Sequence, residues 1–250
     1  MGKWVMAAFL VGMASAAFAG KAEDLIAGRL HECRGCDLQG VSFKKADLTG
    51  VDLTGANLTD ASFHRAILRG AVLDGVIAEG TNFNLADATL ASFKGADLTR
   101  ALFYEAQLSG ADFSAANLTE ARMQLARLTS ATLAGAVLDR TVARDAVANN
   151  ADFSGASMQQ TNLNGASLGR SIYDGATINN AGFVHAEISR ASFAGAKVSL
   201  SDFYGSDLRR ANVAGAVLTG NRFETAALSE VNFDQATMRS NFMADGRLQD

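Results

Sequence analysis

The chain contains no proline in 250 residues. Proline has no backbone N–H to donate, so its absence points to a fold in which nearly every N–H enters a ladder. It also excludes Pro-rich linkers, and no Ser-rich break replaces them, so one continuous unit is expected after the N-terminal segment. Histidine occurs three times, at 31, 64 and 185, too scattered for a catalytic pair. Cysteine occurs twice, at 33 and 36. With His31 they offer a metal only three ligands, and Asp37 stands where haem attachment needs a histidine. Neither sign of charge dominates: 22 Lys and Arg face 26 Asp and Glu, for a net charge of −4. The chain lacks a G-x-S-x-G elbow and a phosphate-binding glycine loop. We therefore expect no enzyme, no cofactor and no metal.

Long apolar runs are also missing, except at the start. Lys3, the apolar stretch 4–16 and Ala17-Phe18-Ala19 have the form of a secretory signal peptide spanning residues 1–19, cut before Gly20. The run is short for a membrane span. Removing Lys3 with it changes the net charge from −4 to −5. A soluble mature chain without a membrane span is expected, periplasmic or secreted from a bacterium.

What is present is a repeat. From Leu38 to Leu248 every fifth residue is a centre, and 39 of these 43 positions carry Leu, Phe, Met, Ile, Val or Tyr. Two residues before the centre, 29 of the 43 are alanine. A period of five matches neither a helix nor a flat strand, so it is the repeat of a solenoid. The centre and the small residue point inward, and a narrow bore admits only one bulky group of the two. Asp or Asn between them can bond backbone N–H groups at the corner.

The words ADLTG (46–50), ANLTD (56–60), ADLTR (96–100), ADFSA (111–115), ANLTE (116–120) and ADFSG (151–155) resemble the pentapeptide-repeat family. The resemblance implies an all-β fold, a right-handed quadrilateral β-helix with four pentapeptides per 20-residue coil. We expect it over residues 37–250, preceded by an N-terminal helical cap at 20–36 with helix over 22–30. Coils stacked at about 4.8 Å give a rod about 50 Å long.

Twelve of fifteen Phe are centres, all at positions ending in 3. Phe43, Phe63, Phe83 and Phe103 lie 20 apart, as do Phe183, Phe203 and Phe223, and should form a core aromatic ladder. Phe93, Phe113, Phe153, Tyr173, Phe193 and Phe233 would fill the opposite side. Asn221 and Asn241, also 20 apart at inward positions, should form an amide ladder. The stretch 141–150 has only Ala143 and Ala148 as centres, so a dent or bulge is expected there, with Val142 and Val147 shifting inward.

Four surface features remain. Cys33 and Cys36 suit a disulfide in an oxidising compartment, closing the first coil under the helical cap. Arg170, Arg190 and Arg210 share one outer corner of successive coils, with Arg209 beside them. They form either a solvated fan screened by Glu187 and Asp207 or an anion-binding stripe for a polysaccharide, lipid head group or acidic protein. Leu85, Tyr104 and Leu125 outline an apolar contact patch. Lys44, Lys45, His64 and Arg65 make a smaller basic cluster.

These features lead first to a secreted, non-catalytic binding or scaffold module of the cell envelope. Its partner is expected to be a protein or another envelope component. The resemblance implies a rival: a cytoplasmic, acidic DNA mimic that binds gyrase and protects it from quinolones. The leader and the interleaved basic residues depart from that pattern, and the charge argues against nucleic acid as a partner. A third reading is a self-assembling rod, with Phe242 at an open C-terminal edge sealing an end-to-end homodimer.

Overall fold

The computed structural model describes residues 16–249. Residues 1–15 of the expected leader lie outside the described residues. Helix α1 (Ala16–Ile26) comes first and caps the solenoid. Ala22, Leu25 and Ile26, at helical spacing, turn one face onto the first coil, and Leu25 is fully buried. The helix ends four residues earlier than the expected Leu30. Gly28 adopts a left-handed φ of 66°, its N–H donates to Leu25 O at 3.1 Å, and Arg29 N–H reaches Asp24 O at 2.8 Å. Those two bonds form a Schellman stop, which the glycine makes cheap.

Beyond it the chain winds as a right-handed quadrilateral β-helix. Parallel bridges join residues 20 apart, from Glu32–Asp52 to Arg222–Phe242. On one face they lengthen into a five-stranded parallel sheet: β1 (Ser157–Gln159), β2 (Thr177–Asn179), β3 (Lys197–Ser199), β4 (Val217–Thr219) and β5 (Thr237–Arg239).

The pentapeptides spend most of their N–H groups in a fixed way. In the pentapeptide 46–50, Ala46 N–H closes the preceding turn onto Phe43 O at 3.0 Å. The next residue's N–H bonds the coil before, as Asp52 does to His31 O. The centre and the last residue bond the coil after: Leu48 to Ile67 O at 2.7 Å and Gly50 to Arg69 O at 2.9 Å. The fourth N–H goes to a side chain, as Thr49 N–H does to Asp47 Oδ1 at 3.1 Å. Where the Asx residue sits in the turn instead, it reaches the next coil, as Asn84 Oδ1 does to Tyr104 N–H at 2.8 Å. With four donors committed in nearly every pentapeptide, and the fourth-position N–H as well wherever an Asx residue accepts it, proline has little place.

The fifth residue carries a positive φ throughout the turns, in 25 non-glycine residues among those described. A left-handed turn residue is ordinarily glycine. Below the last coil the ladder bond of its own N–H holds each one in place, as Arg170 N–H does to Ser189 O at 2.9 Å.

Inside, the rings stack in columns. Phe43, Phe63, Phe83 and Phe103 follow one another at 4.9–5.1 Å between centroids, as Phe183, Phe203 and Phe223 do at 4.7–5.0 Å. The facing column, with Phe93–Phe113 at 4.8 Å and Tyr173–Phe193 at 4.6 Å, meets the first edge-on at 5.7–6.3 Å. Phe233 departs from this pattern: it lies at the last coil with 37% of its surface exposed, because little chain continues above it.

Two other expectations are corrected. Residues 141–150 form neither dent nor bulge. Val142 bridges Arg122 and Asn162, Val147 bridges Arg127 and Ser167, and both valines stay on the outer wall while Ala143 and Ala148 remain buried centres. The ladder bonds above and below set the backbone position, and the loss of two large side chains does not outweigh them. At the C-terminal end the register does not persist to Leu248. The chain reverses, β6 (Asn241–Phe242) pairs antiparallel with β7 (Leu248–Gln249), and Leu248 is left 53% exposed. Gly246 makes the reversal with a φ of 76°. The hairpin occupies part of the open edge, and Phe242, 45% exposed, points outward from it.

Candidate functional site

Cys33 and Cys36 are disulfide-bonded, with Cα atoms 5.4 Å apart, and both are buried. Cys33 occupies a centre position and Cys36 the small position of the next side, so the bridge spans one corner. It locks that corner rather than closing the whole first coil.

The expected apolar patch is not continuous. Leu85 and Leu125 lie two coils apart on one column, and Glu105 stands between them. Tyr104 sits beside Glu105, and the hydrogen bond to that carboxylate, followed by its charge, raises the phenol's pKa. Leu85 itself is half-buried.

The arginine corner forms a groove of about 590 Å³ running along the rod from Asn149 to Glu230. Arg170, Arg190 and Arg210 each occupy the left-handed fifth position, with φ of 59–62°, and the turn projects each outward. The expected screening by Glu187 and Asp207 is not what the side chains do. Glu187 accepts from Ser167 Oγ, and Asp207 takes both Arg209 bonds, at 2.8 and 2.6 Å. Arg210 pairs instead with Glu230, one coil on, through two bonds of 2.9 and 3.2 Å. The hydrogen bond from Arg210 is the first cause holding the Glu230 carboxyl below its ordinary pKa, and the charge of Arg190 adds to it at longer range. Among the described residues, Arg170 and Arg190 have no ion pair and no side-chain hydrogen bond.

Gly169 forms part of the floor. Its φ is not left-handed, so the turn does not require glycine there. A Cβ at this position would come within 3.0 Å of Asn149 Oδ1, which already accepts Gly169 N–H at 2.8 Å. The bare glycine therefore lets the Asn149 amide lie close against the backbone. Sequence reading named the four arginines but missed Glu230, Gly169 and Asn149, although the same 20-residue columns, 149–169–189–209–229 and 150–170–190–210–230, contain them all.

A further cluster was not foreseen. Arg222 clasps Asp202 with two bonds, and its guanidinium lies 4.8 Å from the centre of the Tyr204 ring, which meets His185 edge-on at 5.7 Å. Every member has a partner, so the cluster braces the wall. Among the described residues no group of His, Cys, Asp and Glu is arranged to hold a metal, and no helix is long and apolar enough to cross a membrane.

A coil of parallel bridges 20 residues apart with outward side chains at fixed spacing is a β-solenoid. The chain belongs to the pentapeptide-repeat family, whose pattern matches residues 32–103, 106–170 and 186–240 in overlapping segments. No curated protein matches the chain. Among solved structures it is similar to HetL, a pentapeptide repeat protein involved in heterocyst differentiation regulation from the cyanobacterium Nostoc. The two share 27% identity over 92% of this chain and 98% of HetL, with a TM-score of 0.55. It also matches QnrB1, a plasmid-mediated fluoroquinolone resistance protein, at 21% identity over 69% of this chain and 88% of QnrB1, with a TM-score of 0.46. A likeness at that overlap carries no functional argument.

Proposed function

We propose that this chain is an exported, non-catalytic binding module of the cell envelope. The observation that carries the reading is the groove at residues 149–230, where Arg170, Arg190 and Arg210 line one column and only Arg210 of the three has an ion pair. The leader-like residues 1–19 and the buried Cys33–Cys36 bridge support an oxidising destination. Expressed from its full gene in a Gram-negative host, the protein should appear in the periplasmic fraction, with Gly20 as its first residue by N-terminal sequencing. Retention in the cytoplasm with Met1 intact would sink the reading.

The DNA-mimic alternative is disfavoured by the ladders of mixed sign. Arg34 pairs with Asp52, Arg69 with Asp87, Lys94 with Asp112 and Arg140 with Glu120, so acidic groups are neutralised along the wall. A gyrase supercoiling assay with the processed protein should show no inhibition. One observation favours the self-assembling rod as a second reading: Phe233, Phe242 and Leu248 are exposed together at the C-terminal end. Light scattering at rising concentration tests it, and a monomer throughout rejects it.

A further inference from the structure

We infer that the groove between Asn149 and Glu230 binds a linear acidic polysaccharide lying parallel to the rod axis, with uronate-type carboxylates on Arg170 and Arg190. The inference rests on the binding-module reading above and names the ligand class of the same site.

Three observations point to that ligand. The first is the linear order of the charges. Arg170, Arg190 and Arg210 follow one another at the coil spacing, which the stacked rings of neighbouring coils put at 4.6–5.0 Å. A column of cations at one-coil intervals suits a polymer that repeats its anion at short, regular intervals, and guanidinium forks bind carboxylates in two-point fashion. Each arginine's turn is pinned by its own ladder bond, so the column is organised before a ligand arrives.

The second observation is the lining. Besides the arginines it consists of Asn, Ser, Gly and Glu side chains, with no Leu, Ile, Val, Met or aromatic residue. Amides and hydroxyls suit sugar hydroxyls. An acyl chain finds no apolar wall here, which disfavours a lipid, and an acidic protein finds no pocket for an apolar anchor.

The third is Glu230. It holds Arg210 at the C-terminal end of the column, in the manner of a substitute for the next ligand carboxylate. The ligand's charges therefore fall on the two unoccupied arginines, and Glu230 competes for the third.

Isothermal titration of the leader-processed protein tests this, using oligogalacturonate as probe. Dextran serves as the neutral glycan, phosphatidylglycerol vesicles as the lipid surface and polyglutamate as the acidic polypeptide. Oligogalacturonate should bind and dextran should not. Arg190→Glu should weaken binding at least about tenfold, the scale of one lost charge-assisted contact. Glu230→Gln should strengthen it several-fold by releasing Arg210, whereas Glu105→Gln, which removes the same charge outside the groove, should leave it nearly unchanged. If Arg190→Glu fails to fold by circular dichroism, Arg190→Gln should show the same direction. Unchanged affinity in the arginine variants, weaker binding by Glu230→Gln, or tighter binding of vesicles or polyglutamate than of oligogalacturonate overturns the inference. The export readout above is independent: periplasmic processing without oligogalacturonate binding rejects the ligand alone, while binding by a protein retained in the cytoplasm rejects the envelope reading alone.

Discussion

Asn221 and Asn241 occupy the same inward position one coil apart, and Asn221 Nδ2 donates to Asn241 Oδ1 at 3.0 Å with both side chains fully buried. The same Asn241 oxygen accepts Asn221 N–H at 2.9 Å, and Asn221 Oδ1 accepts Ser201 N–H at 2.9 Å. Their remaining amide protons reach Val198 O and Leu218 O. The ladder thus continues the backbone pairing through side chains just where the stack of coils ends.

Replacing Asn221 by Leu strands the N–H of Ser201 and the oxygen of Val198 in the core, while the Asn241 oxygen keeps the backbone N–H of residue 221. A buried polar group without a partner costs about 1–3 kcal/mol. We expect a total loss of about 2–4 kcal/mol by urea unfolding, and the C-terminal coils should lose amide-exchange protection first.

Tyr173 sets an alkaline limit. Its ring is fully buried and its hydroxyl has no hydrogen-bond partner, while burial raises its pKa well above the ordinary tyrosine value. A raised folded pKa gives stability that is complete below the unfolded pKa of about 10 and is lost as pH rises beyond it. Tyr173→Phe should therefore flatten the alkaline limb of a stability–pH curve. At neutral pH it should hold or gain about 1 kcal/mol, since it removes an unpaired hydroxyl.

The acid limb has the opposite sign. Hydrogen bonds from the Thr54 hydroxyl and N–H lower the pKa of Asp52, with Arg34 adding to them, and the Arg209 side chain lowers that of Asp207. A depressed folded pKa gives stability present above the unfolded value of about 3.9 and lost as pH falls below it. Asp52→Asn keeps an oxygen for Thr54 N–H but cannot titrate. Its unfolding midpoint should fall less between pH 5 and pH 2 than that of the parent, followed by circular dichroism.

Turn residues offer a two-way test of backbone strain. Ala115 is exposed and sits at a φ of 56°. A left-handed non-glycine residue costs about 1 kcal/mol, part of which glycine's larger unfolded-state entropy cancels. Ala115→Gly should stabilise by up to about 0.5–1 kcal/mol. Gly95→Ala, at a φ of 61° with open space where the Cβ would go, should destabilise by a similar amount.

Reduction of the Cys33–Cys36 bridge should have only a modest effect, because the residues are 3 apart. Loop closure over so short a segment contributes about 2 kcal/mol. A drop of a few degrees in the first unfolding transition is expected on adding a reductant, with two thiols titrating per chain after denaturation. Two thiols found before reduction would contradict the bridge.

The repeat, the coil, the ring columns and the Asn221–Asn241 ladder were all legible from the residues in order, because each follows from a local period that the backbone ladder enforces. The disulfide was legible for a simpler reason: the two cysteines have no other partner. The end of α1 was misplaced because one glycine at 28 outweighed the helical pattern that continued to Leu30. The weak coil at 141–150 was misjudged because side-chain volume was weighed without the bonds that hold its backbone above and below. Only the tertiary structure decided which outward side chains meet. Glu230 rather than Glu187 or Asp207 takes Arg210, Arg170 and Arg190 are left open, and Glu105 divides Leu85 from Leu125. Those choices depend on the reach and direction of long side chains across coil offsets of 18 to 21 residues, which no five-residue period selects.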